Sequence, residues 1–305
     1  MGAILFQAVG LFMIILLGYF LKRKGLFKKE DGTILSRIIM TITLPAAIMV
    51  GLQNVHVTTE FIFLMVTAMM MNTVLLIIAS YLWRDHSTLE RSFFMFSITG
   101  YNVGNFTLPF IQGFLPQAVP YLFMFDVGNS IMLGGITMLL VQKFGLRKDA
   151  AFRIENLTRT LLSSVPFVTY LMMLSLRVMN KQLPFAIIPT IELVAKANGF
   201  LSLFMIGLYL ELSLPDKAHA LIIKILGWRY LFSAMLAALF FFVIPIQNQL
   251  VRVVLTILSF APIPTFSVVN SVKIGIDEES TGFISSASIL ISLICMTFIM
   301  LLIAT

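Results

Sequence analysis

The sequence predicts an all-α integral membrane protein of ten transmembrane helices, and three observations carry that reading. Of its 305 residues 59% are hydrophobic and only 11% are charged, whereas soluble domains carry roughly 25% charged residues. A soluble fold of this length would need a polar skin that the chain does not supply. The apolar residues gather in runs of about 20, the length at which a helix rising ~1.5 Å per residue crosses a ~30 Å hydrocarbon core. Short connections between the runs collect the lysines and arginines.

In chain order the spans fall near 3–21, 33–52, 60–83, 90–114, 119–141, 159–178, 186–210, 220–245, 248–273 and 281–303. The first run, Ala3 to Leu21, has no basic residue before it and no small-residue cleavage site after it, so it reads as a span and not a signal peptide. Odd-numbered loops hold Lys22, Arg23, Lys24, Lys28, Lys29 and Arg37; Arg84 and Arg91; Lys143, Arg147, Lys148, Arg153 and Arg159; Lys217, Lys224 and Arg229; and Lys273. Even-numbered loops hold only Arg177, Lys181 and Arg252. Cytoplasmic loops collect Lys and Arg. The expectation is a multi-pass protein of the cell (plasma or inner) membrane with both termini outside. The same confinement makes the lipid bilayer, and not a nucleic acid, the partner of a chain with net charge +7. Cys295 is the single cysteine, which leaves no internal disulfide.

The loop "QKFGLRKDAAFRIENLTR" after span five divides the chain nearly in half. The expected organisation is a first five-helix repeat over 1–142, a cytoplasmic linker over 143–158 and a second five-helix repeat over 159–305. An odd number of spans per half sends the second half into the membrane from the opposite side, so halves that share a fold form an inverted repeat. Pro109 in the fourth span and Pro262 and Pro264 in the ninth occupy equivalent places in the two halves.

Those prolines break helices 4 and 9 where hydrocarbon tolerates a break least. Unwound backbone survives at membrane depth only inside protein or along a wet cavity. In "GYNVGNFTLP", Pro109 removes a donor and clashes with the carbonyl four residues back, near Asn105. Gly100 and Gly104 relax the backbone, while Asn102, Asn105 and Thr107 offer partners to the freed groups. In "FAPIPTFSVVN", Pro262 and Pro264 forbid regular helix, and Thr265, Ser267 and Asn270 supply hydroxyls and an amide. Two such helices crossing at mid-membrane would each offer a half-helix N-terminus, with its partial positive charge and free N–H groups, to an anion. The opposite half-helix ends would present carbonyls to a cation or a proton-bearing group. A kink that only shapes packing is the alternative.

The motifs "TLPAAIM" in span two, "YNVGNFTLPF" in span four, "FDVGN" in span five, "MIGLYLEL" at the end of span seven and "APIPTF" in span nine resemble the auxin efflux carrier family. The resemblance covers the whole chain. It implies a fold like that of bile-acid sodium symporters, with ten helices and crossed helices 4 and 9. It also implies an elevator motion of a transport domain (helices 3–5 and 8–10) against a scaffold (helices 1, 2, 6 and 7), and a homodimer. By position Asn102, Asn105 and Pro109 match the first crossover, and Pro262 or Pro264 the second. Where members often carry a proline in span seven, this chain has Asn198 and Gly199.

Ionisable groups within spans are few. Asp126, in "FMFDVGNSIML", lies deep in span five with Asn129 about one turn on. A charge there costs roughly 2.5–3.5 kcal/mol, which turns it toward the protein interior. It is expected either to take up a proton or cation at the crossover or to cap an unwound segment. Glu192 and Lys196, spaced i, i+4 with the acid first, read as a helix pair or a substrate gate. His56, His86 and His219 fall at span ends, read as solvated and show no metal-ligand spacing. Gly134-Gly135 reads as a helix-packing notch. No phosphate loop, dinucleotide fingerprint or nucleophile–base set is present, so neither an enzyme nor a cofactor is expected. The expectation is a secondary transporter of a small organic anion, a mono- or dicarboxylate. Alternatives are a sodium-coupled bile-acid-like symporter and a passive anion channel.

Overall fold

The computed structural model describes residues 2–147, 154–213, 215 and 218–303. Lys148, Arg153 and Lys217, three of the loop cations, lie outside the described residues, as does the middle of the 143–158 linker. Every regular element among the described residues is helical. Seven helices are long and apolar enough to cross a membrane: α1 (Ile4–Arg23), α2 (Asp31–Leu52), α3 (Thr59–Leu82), α6 (Pro116–Gly145), α9 (Phe185–Tyr209), α10 (His219–Val243) and α13 (Glu278–Ile303). Between them run α4 (Thr88–Ile98), α5 (Leu108–Phe114), α7 (Ile154–Ser163), α8 (Val165–Val178), α11 (Gln249–Leu258) and α12 (Thr265–Lys273).

Local chemistry fixes several of these ends. Ser87 and Glu90 form a reciprocal capping box at the start of α4, each side chain accepting the other's backbone N–H at 3.2 Å. Asn248 opens α11 by accepting from the N–H groups of Leu250 and Val251. The join between α7 and α8 bends by 87°. There Ser164 is extended (φ −84°, ψ 110°), and Pro166 sits in the first turn of α8. Helix α7 begins at Ile154, inside the stretch expected to be linker. Its Leu157 and Leu161 pack over Gly135 and Gly134 of α6, which fill the role of a packing notch.

Prolines late in a span act through a shared device. In α2 a π-turn over Ile39–Thr43 runs into Leu44-Pro45. Beyond α4 a π-turn over Val103–Thr107 runs into Leu108-Pro109. Widening the turn from i→i−4 to i→i−5 moves the preceding carbonyl out of the proline ring's way.

Small residues set the closest helix approaches, as expected where lipid tails leave apolar burial little to gain. A Cβ on Gly207 of α9 would run into the Ile15 carbonyl of α1, and one on Gly128 of α6 into the Met65 carbonyl of α3. Outward, α1 exposes Phe6, Val9, Met13 and Phe20 along its length. Inward, Phe93, Phe94, Phe96, Phe106, Phe110, Phe123 and Phe125 are fully buried.

Candidate functional site

The first interruption lies between α4 and α5. Thr99 is extended, Gly100 adopts φ +79°, and the π-turn follows from Val103. The backbone donors on Gly100, Tyr101 and Asn102 all find partners, as groups shielded from water must. The N–H of Gly100 donates to Asn72 Oδ1 of α3 at 2.7 Å. Tyr101 is held from both sides: its N–H donates to Asn129 Oδ1 at 3.3 Å, and its carbonyl accepts from Asn129 Nδ2 at 2.9 Å. Thr107 closes the turn by donating its N–H and its Oγ1 hydroxyl to the Asn102 carbonyl.

The second interruption, between α11 and α12, meets the first directly. The N–H of Asn102 donates to the Pro262 carbonyl at 3.0 Å. Pro264 fills the space beside Gly100, where a Cβ would stand 2.7 Å from Pro264 Cγ. Pro262 and Pro264 carry no N–H, and the one donor between them, on Ile263, reaches Ser288 Oγ of α13 at 3.1 Å. Neither 98–110 nor 258–270 is a continuous coil, and the two touch.

Arg229 joins the same place. Grouped by chain order with the loop cations, it lies in the structure within α10 at 3% exposure. Its Nη1 donates to the Ser97 carbonyl at 2.6 Å, and its Nη2 donates both to the Gly100 carbonyl at 3.0 Å and to the Ala261 carbonyl at 2.8 Å. One guanidinium thus ties the end of α4 to the loop that follows α11. No carboxylate faces it: among the described residues the ion pairs join Lys22 and Lys29 to Glu211, and Arg84 to Asp85. The available signal was a lone arginine inside the apolar run "IIKILGWRYLFSAML", which at membrane depth marks a functional position by default.

Two cavities open on one face of α9. The first, about 370 Å³, is lined by Asn102 of the first interruption, Thr265 at the start of α12, Met205, Ile206 and Tyr209 of α9, and the charged Lys29, Lys273 and Glu278. The second, about 660 Å³, is lined by Gln112, Gln117, Glu192, Lys196 and Gly199. Positions 192, 196, 199, 202, 206 and 209 follow one another at helical spacing, so both cavities share that stripe. From Lys196 to Met205 is nine residues, about 14 Å of helix. Between them Asn198 and Ser202 are buried, with the Asn198 amide nitrogen and the Ser202 hydroxyl lacking protein partners.

The expected site residues therefore divide. Asn102 and Thr265 reach the 370 Å³ cavity. Pro262 and Pro264 build the contact behind it. Gly104 packs under Leu44 of α2, Thr107 closes its own turn, and Pro109 lies against Gly199. Asn105 Oδ1 and Asn270 Nδ2 are buried without a protein partner. Asp126 is 8% exposed and stands one hydrogen bond behind the interruption. Its Oδ1 accepts from Asn129 Nδ2 at 3.1 Å, and its Oδ2 accepts from the Tyr170 hydroxyl of α8 at 3.0 Å. Glu192 and Lys196 do not close on each other; both line the larger cavity. His86 is stacked on Trp83 and lies 3.2 Å from Lys224 Nζ, a packed position where a solvated one was expected. No cluster of three His, Cys, Asp or Glu suited to a metal occurs among the described residues.

Compared with family models the chain matches none, and no curated protein matches it.

Proposed function

We propose that the protein is a secondary carrier for a small organic anion of the mono- or dicarboxylate class, of the auxin efflux carrier type. Under this reading the interrupted pairs α4/α5 and α11/α12 and the bent pair α7/α8 each count as one crossing. Ten helices then form two inverted repeats, with both termini outside. Helices α3, α4–α6 and α10–α13 move as the transport unit against α1, α2, α7/α8 and α9, in a homodimer.

The observation that carries the reading is the Asn102 N–H bond to the Pro262 carbonyl beside a cavity of carboxylate size. Thr265 offers a hydroxyl and the start of α12 there, and Asn102 an amide. Lys29 and Lys273 against Glu278 leave the lining one net positive charge, which favours an anion without burying an unpaired lysine. The second cavity, further along α9, gives the face that alternates. Asp126 is the group assigned to proton uptake.

The test is a thermal-shift screen of the purified protein against small mono- and dicarboxylates, followed by counterflow in proteoliposomes. A ligand that favours the folded state raises the melting temperature by mass action. The expected result is a saturable shift for at least one carboxylate and exchange of that solute across the bilayer. No shift with any of them and no saturable exchange would overturn the reading.

A further inference from the structure

We propose that Arg229 is a built-in cation for the paired interruptions: its guanidinium occupies the carbonyl cluster between the two half-helix ends, and the fold needs no bound sodium or potassium ion there. Unwound carbonyls and half-helix C-termini at mid-membrane are the groups that hold coupling cations in discontinuous transporters. Here three such carbonyls, from Ser97, Gly100 and Ala261, all accept from one side chain at 2.6–3.0 Å.

The charges balance without an added ion. Each helix C-terminus carries roughly −0.5 of an elementary charge, and α4 and α11 both end beside this cluster. Together they offset one guanidinium, which explains how Arg229 is buried at 3% exposure with no carboxylate beside it. A metal ion placed in the same cluster would face an uncompensated positive charge. Geometry adds specificity, because Nη2 alone bridges Gly100 and Ala261, one carbonyl from each interruption. A planar fork with fixed donor directions does this, whereas a lysine ammonium is a point charge on a flexible stem. For solute movement the consequence rests on the carrier reading: transport would proceed without an alkali-ion gradient.

Two measurements on the purified full-length protein decide. In the first, sodium and potassium are replaced by N-methylglucamine at constant ionic strength. The wild-type melting temperature is expected to stay unchanged, and a saturable rise with sodium or potassium would overturn the proposal. In the second, Arg229→Ala is expected to melt well below wild type and to recover in low-millimolar guanidinium, a response that wild type lacks. An Ala variant as stable as wild type, or one that guanidinium leaves unrescued, would overturn it. If Arg229→Ala yields no folded protein, the first measurement still decides. Both read stability and not flux, so failure of the carrier reading produces neither overturning result.

Discussion

Pro264 stands where a side chain on Gly100 would have to go. A Cβ built on Gly100 would lie 2.7 Å from Pro264 Cγ and 2.9 Å from Leu133 Cδ2, and the residue adopts φ +79°. The left-handed conformation costs a non-glycine residue about 1–2 kcal/mol, and forced overpacking adds about 1–3 kcal/mol. Gly100→Ala is therefore expected to lose about 2–5 kcal/mol of stability. Gly199 is the control, because its added Cβ would meet Pro109 Cβ at 4.0 Å, ordinary contact distance. Gly199→Ala should be neutral or gain a few tenths of a kcal/mol from helix propensity. Denaturant unfolding of both variants in detergent checks the pair, and equal stabilities would contradict the close fit of the two interruptions.

Asn129 works as a splint on Tyr101, pairing with both its N–H and its carbonyl, while Asn72 takes the neighbouring N–H of Gly100. Asn129→Leu strands two buried groups, the Tyr101 N–H and Asp126 Oδ1, while the Tyr101 carbonyl keeps the Val103 N–H at 3.0 Å. At about 1–3 kcal/mol for each buried unsatisfied group, the expected loss is larger than for Asn72→Leu, which strands one. The two asparagines also face each other, Asn72 Nδ2 lying 3.5 Å from Asn129 Oδ1. A double-mutant cycle should accordingly return a coupling of about 0.5 kcal/mol or more. Strict additivity would separate the two splints.

Where chemistry is local, the sequence told the structure well. The prolines and glycines of "GYNVGNFTLP" and "FAPIPTF" mark the interruptions because they alter φ and remove donors at their own positions. The long apolar runs mark α1, α3 and α13 to within about three residues, the ordinary uncertainty of such boundaries. What stayed hidden depends on partners distant in the chain. Nothing near Asn102 announces Pro262, and nothing near Arg229 announces three carbonyls. Arg229 falls inside the expected span 220–245, yet chain order groups it with the loop cations Lys217 and Lys224. Half of helix α7 falls within the expected span 159–178, while its first five residues fall in the expected linker and the 87° bend before α8 has no mark in the apolar pattern.

The close approach of α1 and α9 gives a third prediction. Gly207 faces the Ile15 carbonyl so closely that any Cβ must push the helices apart, while Gly10 of α1 and Gly227 of α10 have open space around them. Gly207→Ala should cost about 1–3 kcal/mol by overpacking, against no loss for Gly10→Ala or Gly227→Ala. Melting curves of the three variants test this. A harmless Gly207→Ala would mean that backbone contact does not hold α1 to α9.

Lysines at the smaller cavity give a fourth. Lys29 lies 3.6 Å from Glu211 Oε1, whereas among the described residues Lys273 has no acidic partner within ion-pair distance. Lys273 is thus the freer of the two to meet an anion. A hydrogen bond to a charged group contributes about 1.5–3 kcal/mol, so Lys273→Gln should weaken binding of a responsive carboxylate about 10- to 100-fold. Lys29→Gln should weaken it less, since Glu211 already offsets that charge. Titration of the ligand by thermal shift distinguishes them, and equal affinities in both variants and wild type would take the anion away from this cavity.

Proton uptake, last, turns on Asp126. Its two oxygens accept from Asn129 and Tyr170, so the carboxylate touches both the splint on Tyr101 and helix α8. Those two helices, α6 and α8, are assigned to opposite sides of the proposed moving boundary. Adding a proton to Asp126 would remove an acceptor from one of these bonds, loosening α8 from the interruption or the interruption from Asn129. A carrier coupled this way should show pH-dependent flux in wild type and flat flux in Asp126→Asn, which cannot titrate but keeps the shape. Tyr170→Phe separates the halves of the mechanism, because it cuts the bond to α8 and leaves the carboxyl group able to titrate. It should retain pH dependence while altering the maximal rate. Identical pH profiles for wild type and Asp126→Asn would leave Asp126 as a structural cap on Asn129 and move the proton elsewhere.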